Sequence, residues 1–470
     1  MSILVDDPRD NLIYSKSRMG IVLPTKPNEN ESGAAELIMP RRPRDPHSLL
    51  KSKRIYIVLL LFFNLFINYM NRTNFSVAAP VMAREFGWDP EIVGIAFSSF
   101  MWMYCLCLVP WGWMADKIGT RRVNSYSVLV WSIGAILTSL AVGLGTVIAA
   151  QLVLGLGESA SLPTAGKVVR QWFPAGERGL ATAIFSAGMF AGPSISSPIA
   201  AWFVVHLGWR LSFVIFGSFG FAWLLLWLLW FRLPGDCGWL PEAEREYLVA
   251  EIPEASCESK PRSGNVGKLL SRKTTWGLLL TQGTCGYTLY LYLYWLPSYL
   301  IQARHMNLMR ASWFISAPYL IAAILSIAIG RISDRSLRSQ ALKQGKRRIF
   351  LIVCILLSSA VIFTNLVSNE FVAIGLIAVS LTSVASALSL NMAITNDLVR
   401  SAEMSGTALG IVILGGNLFG LTSPIVTGYL VKTRGGFDGS FYLAGALLLS
   451  GAVIAGTMTK KPLSFADELS

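Results

Sequence analysis

GWMADKIGTRR, residues 112–122, interrupts an otherwise apolar stretch of chain, and a shortened copy, GRISDR, returns at 330–335. Each follows an apolar run of about 20 residues. The two copies lie 218 residues apart. A second landmark also recurs: Pro198 follows Glu177, and Pro424 follows Glu403, by 21 positions each, at an offset of 226. Two unrelated landmarks at nearly equal offsets mark the chain as a duplication of one half.

The apolar runs say what the halves are made of. Of 470 residues, 53% are hydrophobic and only 14% charged, whereas a soluble domain carries about 25% charged residues. The mean hydropathy is +0.53. This composition excludes a string of soluble domains and a disordered chain, and six cysteines are too few for a disulfide scaffold. Twelve runs are long enough to cross a bilayer. They lie near 55–80, 92–115, 123–144, 146–171, 179–204, 209–231, 276–302, 311–331, 348–367, 371–396, 404–431 and 438–458. Backbone polar groups in lipid must be satisfied within their own segment, so each run is predicted to be a helix. The expected fold is an all-α membrane protein with 12 transmembrane helices in two pseudo-symmetric six-helix halves. Its predicted parts are a tail at 1–54, a first half at 55–231, a central loop at 232–275, a second half at 276–458 and a tail at 459–470.

Basic residues set the orientation. They crowd the N-terminal tail and the loops after spans 2, 6 and 8, while the loops after spans 3 and 9 have none. Both tails and the central loop are therefore expected in the cytoplasm, in a multi-pass protein of the cell (inner) membrane. The formal net charge of +13 is then topology signal with some attraction to anionic lipid, and needs no nucleic acid. Residues 1–54 lack the apolar core and cleavage site of a secretory signal. Leu240 to Ile252 reads as a short helix that lies on the membrane surface or bridges the halves. Cys105, Cys107, Cys285 and Cys354 fall within spans, and Cys237 and Cys257 in the reducing compartment, so no disulfide is expected.

At the two copies of the loop sequence the chain resembles the major facilitator superfamily. Residues 112–122 match that superfamily's signature, G-x-x-x-D-(K/R)-x-G-x-(K/R)-(K/R), at every position. The resemblance implies a secondary transporter, with a gating role for Gly112, Asp116, Arg121 and Arg122 and, in the second copy, Asp334. A role in topology and folding alone is the competing reading. NYMNRTNFSVAAP (68–80), GLGESASLPTAGKVVRQWFPAGERG (155–179), YWLPSYL (294–300) and GGNLFGLTSPIVTGYL (415–430) look like the anion:cation symporter family within it. That closer resemblance covers roughly residues 55–460. It implies transport of sugar acids and related carboxylates.

Charge inside a bilayer costs about 2.5–3.5 kcal/mol on insertion scales, so it marks function by default. Arg72 is the only deep basic residue and Glu158 the only deep acid; spans 7 to 12 hold none away from their ends. A guanidinium stays charged, and its planar fork suits a carboxylate. A buried carboxylate near the midplane is suited to take up and release a proton. Snorkelling of Arg72, or a purely structural pair of the two, are the alternatives. In the resembled family the Arg of this motif binds the substrate carboxylate, and the Glu is the proton-coupling acid.

The same family implies a cavity lined by Tyr69, Tyr104, Gln282, Tyr290 and Asn417. Asn391 is a further candidate, with interhelical hydrogen bonding as its other reading. Asn71 and Gln151 stand where many family members have Asp and Arg. They are carried as substrate-binding candidates, and neither can titrate. Tyr287, Tyr292 and Tyr294 crowd the helix of Tyr290, and several of these are expected to face lipid or the interface. Gly188, Gly192 and Pro193 in span 5 read as a packing feature.

No metal-ligand cluster, nucleotide-binding loop or nucleophile arrangement stands out, so no cofactor, no metal and no enzymatic activity are expected. The expected partners are a small organic anion, protons and membrane lipid, with a monomer as the superfamily default. The sequence thus predicts proton-coupled import of a small organic anion, a sugar acid or related carboxylate, by alternating access. Its rivals are a proton-driven drug or metabolite exporter and a non-transporting receptor on the same fold.

Overall fold

A computed structural model describes residues 52–174, 176–252, 265–336, 347–399 and 402–460. Cys257 and nearly all of both tails lie outside these residues. The first half consists of α1 (Ile55–Phe86), α2 (Pro90–Ile118), α3 (Thr120–Ser139), α4 (Leu144–Glu158) followed by α5 (Ser161–Trp172), α6 (Arg178–Ser186) followed by α7 (Gly188–Leu207), and α8 (Trp209–Trp230). The central loop carries α9 (Glu242–Glu251) and α10 (Asn265–Leu270). The second half consists of α11 (Lys273–Gln302), α12 (Leu308–Ser336), α13 (Arg348–Ser358) with a tighter helical turn over Ser359–Leu366, α14 (Glu370–Leu398), α15 (Ala402–Arg434) and α16 (Asp438–Met458).

Among the described residues, ten helical segments are long and apolar enough to cross a membrane. Two more, α3 and α11, have the length but not the hydropathy. The reason is plain for α11. It is buried along nearly its whole length, so threonines, tyrosines and Gln282 replace the aliphatic surface that lipid would demand. With these two, each half has the expected six crossing segments.

Two expected single spans carry a short interruption of their helical hydrogen bonding while keeping helical backbone angles. Span 4 is interrupted at Ser159–Ala160, directly after Glu158. Pro163 has no N–H to give to the Ser159 carbonyl and its ring crowds that group. Span 5 is interrupted at Ala187, ahead of Gly188, Gly192 and Pro193. These glycines let α7 lie against α1: a methyl group at Gly188 would sit 2.7 Å from the Phe62 carbonyl oxygen, and one at Gly192 2.8 Å from that of Phe66. The turn from α2 to α3 needs a positive φ, and Gly119 of the signature sequence supplies it at +85°.

The central-loop helix forms where the sequence places it, and its contact is specific. Arg54, counted with the tail from sequence, is wholly buried. Its Nε donates to Glu244 Oε1 of α9 at 2.8 Å and its Nη1 to Glu177 Oε2 at 2.7 Å. Trp239, in the approach to α9, stacks on Trp172 of α5 at 5.8 Å. One cation thus ties the start of α1, the base of α6 and the central loop together on the first half.

The halves meet along α2 with α15, α7 with α12, and α1 with α11. At the end away from the central loop they are sealed. Lys432 of α15 pairs with Asp89 at 2.9 Å and Glu91 at 2.7 Å. Asp89 also caps α2 by accepting from Ile92 N at 2.9 Å. Deeper in, Ser98 donates to the Leu421 carbonyl and Ser194 to that of Ser316. At the loop end, a cavity of about 460 Å³ separates Gly179–Phe190 of the first half from Ala323–Asp334 of α12, with Ser389 of α14 on its wall.

Candidate functional site

Arg72 lies on α1 and Glu158 at the end of α4, and packing of the first half brings them into contact. Arg72 Nε donates to Glu158 Oε2 at 2.8 Å, with the side chains 2% and 0% exposed. The ring centroids of Phe100, Tyr69 and Tyr104 lie 4.4, 4.7 and 4.9 Å from the guanidinium carbon. Phe100 and Tyr104 are one turn apart on α2 and stack at 5.4 Å, which makes them a single aromatic face. A cation held among ring faces is stabilised by their quadrupoles while the usual hydration is lost. Arg72 Nη1 and Glu158 Oε1 are buried and make no hydrogen bond. Both charged groups thus keep one atom available to bond a ligand or water.

The second half faces this pair with neutral groups. Tyr290 and Tyr294 of α11 stack at 6.1 Å, and both lie within electrostatic reach of Arg72. Tyr294 also stacks on Phe97 at 5.0 Å, and its backbone carbonyl accepts from Ser76 of α1 at 2.8 Å. Toward the loop end of α11, Gln282 Oε1 accepts from Asn391 Nδ2 of α14 at 2.8 Å. The same Asn391 nitrogen donates to the Leu278 carbonyl at 2.9 Å. On α15, Gly416 lies against Gln282 and Gly420 against the Tyr290 ring. Asn417, which is buried, therefore falls between those two levels.

The remaining candidates separate by position. Asn71 is buried with both amide atoms unpartnered, about 100° around α1 from Arg72. Gln151 donates to Thr138 Oγ1 of α3 at 3.5 Å and lies about 10 Å along α4 from Glu158. Its observed partner is thus a neighbouring helix of its own half. The expectation that several tyrosines of α11 face lipid is overturned: Tyr287, Tyr292 and Tyr294 are all buried. They are enclosed because α11 packs against α15, α16, α14 and α1 at once. Phe100 was not named from sequence, and Tyr294 was grouped with the tyrosines expected to face lipid or the interface. The one-turn spacing of Phe100 and Tyr294 from Tyr104 and Tyr290 was the available signal.

The loop-end charges form two similar sets. Asp116 accepts from Lys167 Nζ of α5 at 2.6 Å. Asp334 accepts from Arg347 at 2.7 Å, and Arg347 also pairs with Asp397 at 2.9 Å. Each set stays within its own half. Arg121 Nη2 donates to the Leu228 carbonyl at the end of α8. Arg122 is exposed, and a methyl group at Gly112 would sit 3.9 Å from Pro163 Cβ. Among the described residues, ion pairs join the two halves only at the far end, through Lys432.

Comparison with known proteins agrees with this architecture. The sequence profile described as Major Facilitator Superfamily matches residues 61–343 and 341–464. A probable galactarate/D-glucarate transporter of Escherichia coli is 29% identical over 87% of this chain and 94% of its own length. A D-galactonate transporter of the same species is 27% identical over 84% and 94%. A probable sulfoacetate transporter of Cupriavidus necator is 30% identical over 83% and 90%. Among solved structures, a bacterial homologue of the human lysosomal transporter Spinster superposes with a TM-score of 0.69 at 17% identity. The match covers 88% of this chain and 99% of that one.

Proposed function

This chain belongs to the Major Facilitator Superfamily and is a multi-pass membrane transporter, not an enzyme; from that premise we propose that it imports a small organic anion, a sugar acid or related carboxylate, together with protons by alternating access. The observation that carries the reading is the buried Arg72–Glu158 pair, bonded on one side only and with an unpartnered nitrogen and oxygen left over. A substrate carboxylate docks on the free edge of the guanidinium. A proton on Glu158 removes the competing charge and releases Arg72 to the substrate. Relatives named for sugar acids support the choice of anion.

With the central loop in the cytoplasm, as the basic residues argue, the end sealed by ion pairs is the outer one. The outer end is closed by Lys432, Asp89 and Glu91, while a cavity lies between α6–α7 and α12 at the cytoplasmic end. In this state Asp116 and Asp334 each engage partners of their own half. Closure of the cytoplasmic side brings the two signature loops together, which is the gating role assigned to them.

The test uses purified protein in liposomes with a pH dye inside. A panel of hexuronates, aldonates, aldarates and aromatic carboxylates is added outside, and at least one member is expected to acidify the lumen, with no change in empty liposomes. Glu158→Gln is expected to lose this acidification while it keeps exchange of labelled substrate. Proton coupling at wild-type level in that variant overturns the role of Glu158. Silence across the panel, with no labelled exchange, overturns the organic-anion reading.

A further inference from the structure

The charge count around Arg72 restricts the substrate further than the word anion does. Among the described residues, three basic side chains are buried: Arg54, Arg72 and Arg347. Arg54 and Arg347 sit at the loop end, each bound to two carboxylates. Arg72 is therefore the one buried cation that faces the site. The buried acids are Glu158 and Glu244, and Glu244 belongs to Arg54.

The groups opposite Arg72 are all neutral. Tyr290 and Tyr294 stand nearest, and Gln282, Asn391 and Asn417 follow toward the loop end. Phenols and amides hydrogen-bond hydroxyls well, but none supplies a full positive charge. The empty site holds one cation and one anion, so it is neutral. One proton on Glu158 and one monoanion on Arg72 leave it neutral again. A dianion loaded with the same single proton would leave a net negative charge in a site closed off from water. A buried charge without a partner is strongly disfavoured.

We propose that the site selects monocarboxylates whose other polar groups are uncharged, and rejects dicarboxylates of the same skeleton. The inference rests on the organic-anion reading above and adds the charge of the substrate to it. No covalent step is involved: a proton moves onto Glu158 Oε1 or Oε2 and the carboxylate pairs with the guanidinium.

The experiment measures binding to the purified full-length protein by calorimetry at pH 7, using pairs that differ by one carboxyl group. Suitable pairs are D-gluconate with D-glucarate, D-galactonate with galactarate, and benzoate with terephthalate. In any pair that binds, the monocarboxylate is expected to be at least 30-fold tighter. A smaller ratio, or tighter binding of the dicarboxylate, overturns this inference and leaves organic-anion transport standing. If no member of any pair binds, and labelled exchange is also absent, both readings fall together. The wild-type protein alone decides the matter, so no variant has to fold.

Discussion

Arg72 meets Glu158 side-on, through Nε to Oε2 at 2.8 Å, and not through the two parallel bonds that a guanidinium and a carboxylate can form. A bidentate pair would occupy both charged groups fully. The single bond leaves Nη1 and Oε1 buried without a hydrogen bond. The pair is thus strong enough to hold two charges inside the first half, yet open enough to exchange a partner. Breaking such a pair from one side is much costlier than removing both charges.

That asymmetry gives a stability prediction. Glu158→Ala alone leaves Arg72 uncompensated and is expected to cost about 3–5 kcal/mol. The double variant Arg72→Met with Glu158→Leu is expected to recover most of the loss. Thermal melts of the detergent-solubilised single and double variants check this. Equal loss in both would mean that the pair contributes through packing and not through charge.

The seal at the end away from the central loop is expected to make the conformational equilibrium depend on Lys432. Lys432→Ala removes both ion pairs across the halves at that end. It is expected to raise labelling of a cysteine placed at Ser98, which lies behind the seal. Acid acts in the same direction. The Ile92 backbone N–H, and then Lys432, hold the Asp89 carboxyl below the usual carboxylate range. A depressed carboxylate supports the closed end at neutral pH and loses that support as pH falls through its lowered value. Labelling should therefore rise in acid, and Asp89→Asn should flatten that rise.

Arg54 is expected to be structural to a degree that its position does not suggest. Arg54→Ala leaves Glu244 buried against the first half without its cation, at a cost of about 3–5 kcal/mol. It should also free α9. Trypsin cleavage at Arg245 of the folded protein is the readout, and wild-type resistance in the variant would refute the clamp.

Gly192 packs against the helix that carries the site. A methyl group there would lie 2.8 Å from the Phe66 carbonyl oxygen and 3.0 Å from Tyr69 Cβ. Gly192→Ala is expected to destabilise by about 1–3 kcal/mol through overpacking. Because Tyr69 is one of the rings on Arg72, substrate affinity should fall as well. A melt and a binding isotherm on the same sample separate the two effects.

Much of this protein was legible without coordinates. The requirement that lipid-exposed backbone satisfy itself turns long apolar runs into helices, and the recurrence of GWMADK as GRISDR divides them six and six. The high cost of intramembrane charge singles out Arg72 and Glu158 before any contact is known. These are consequences of composition and one-dimensional spacing, and they fixed the class of protein.

What tertiary structure alone decided is how surfaces are shared. Glu158 is 86 residues from Arg72, and no local periodicity encodes that they touch. A helix such as α11, enclosed on every side, has no apolar stripe from which to read which tyrosines turn inward. The basic residue at the edge of a span, Arg54, resembles a solvated topology signal until α9 and Glu177 close over it. Which end of the bundle is sealed is likewise set by contacts across the halves, because the same helices serve in both states.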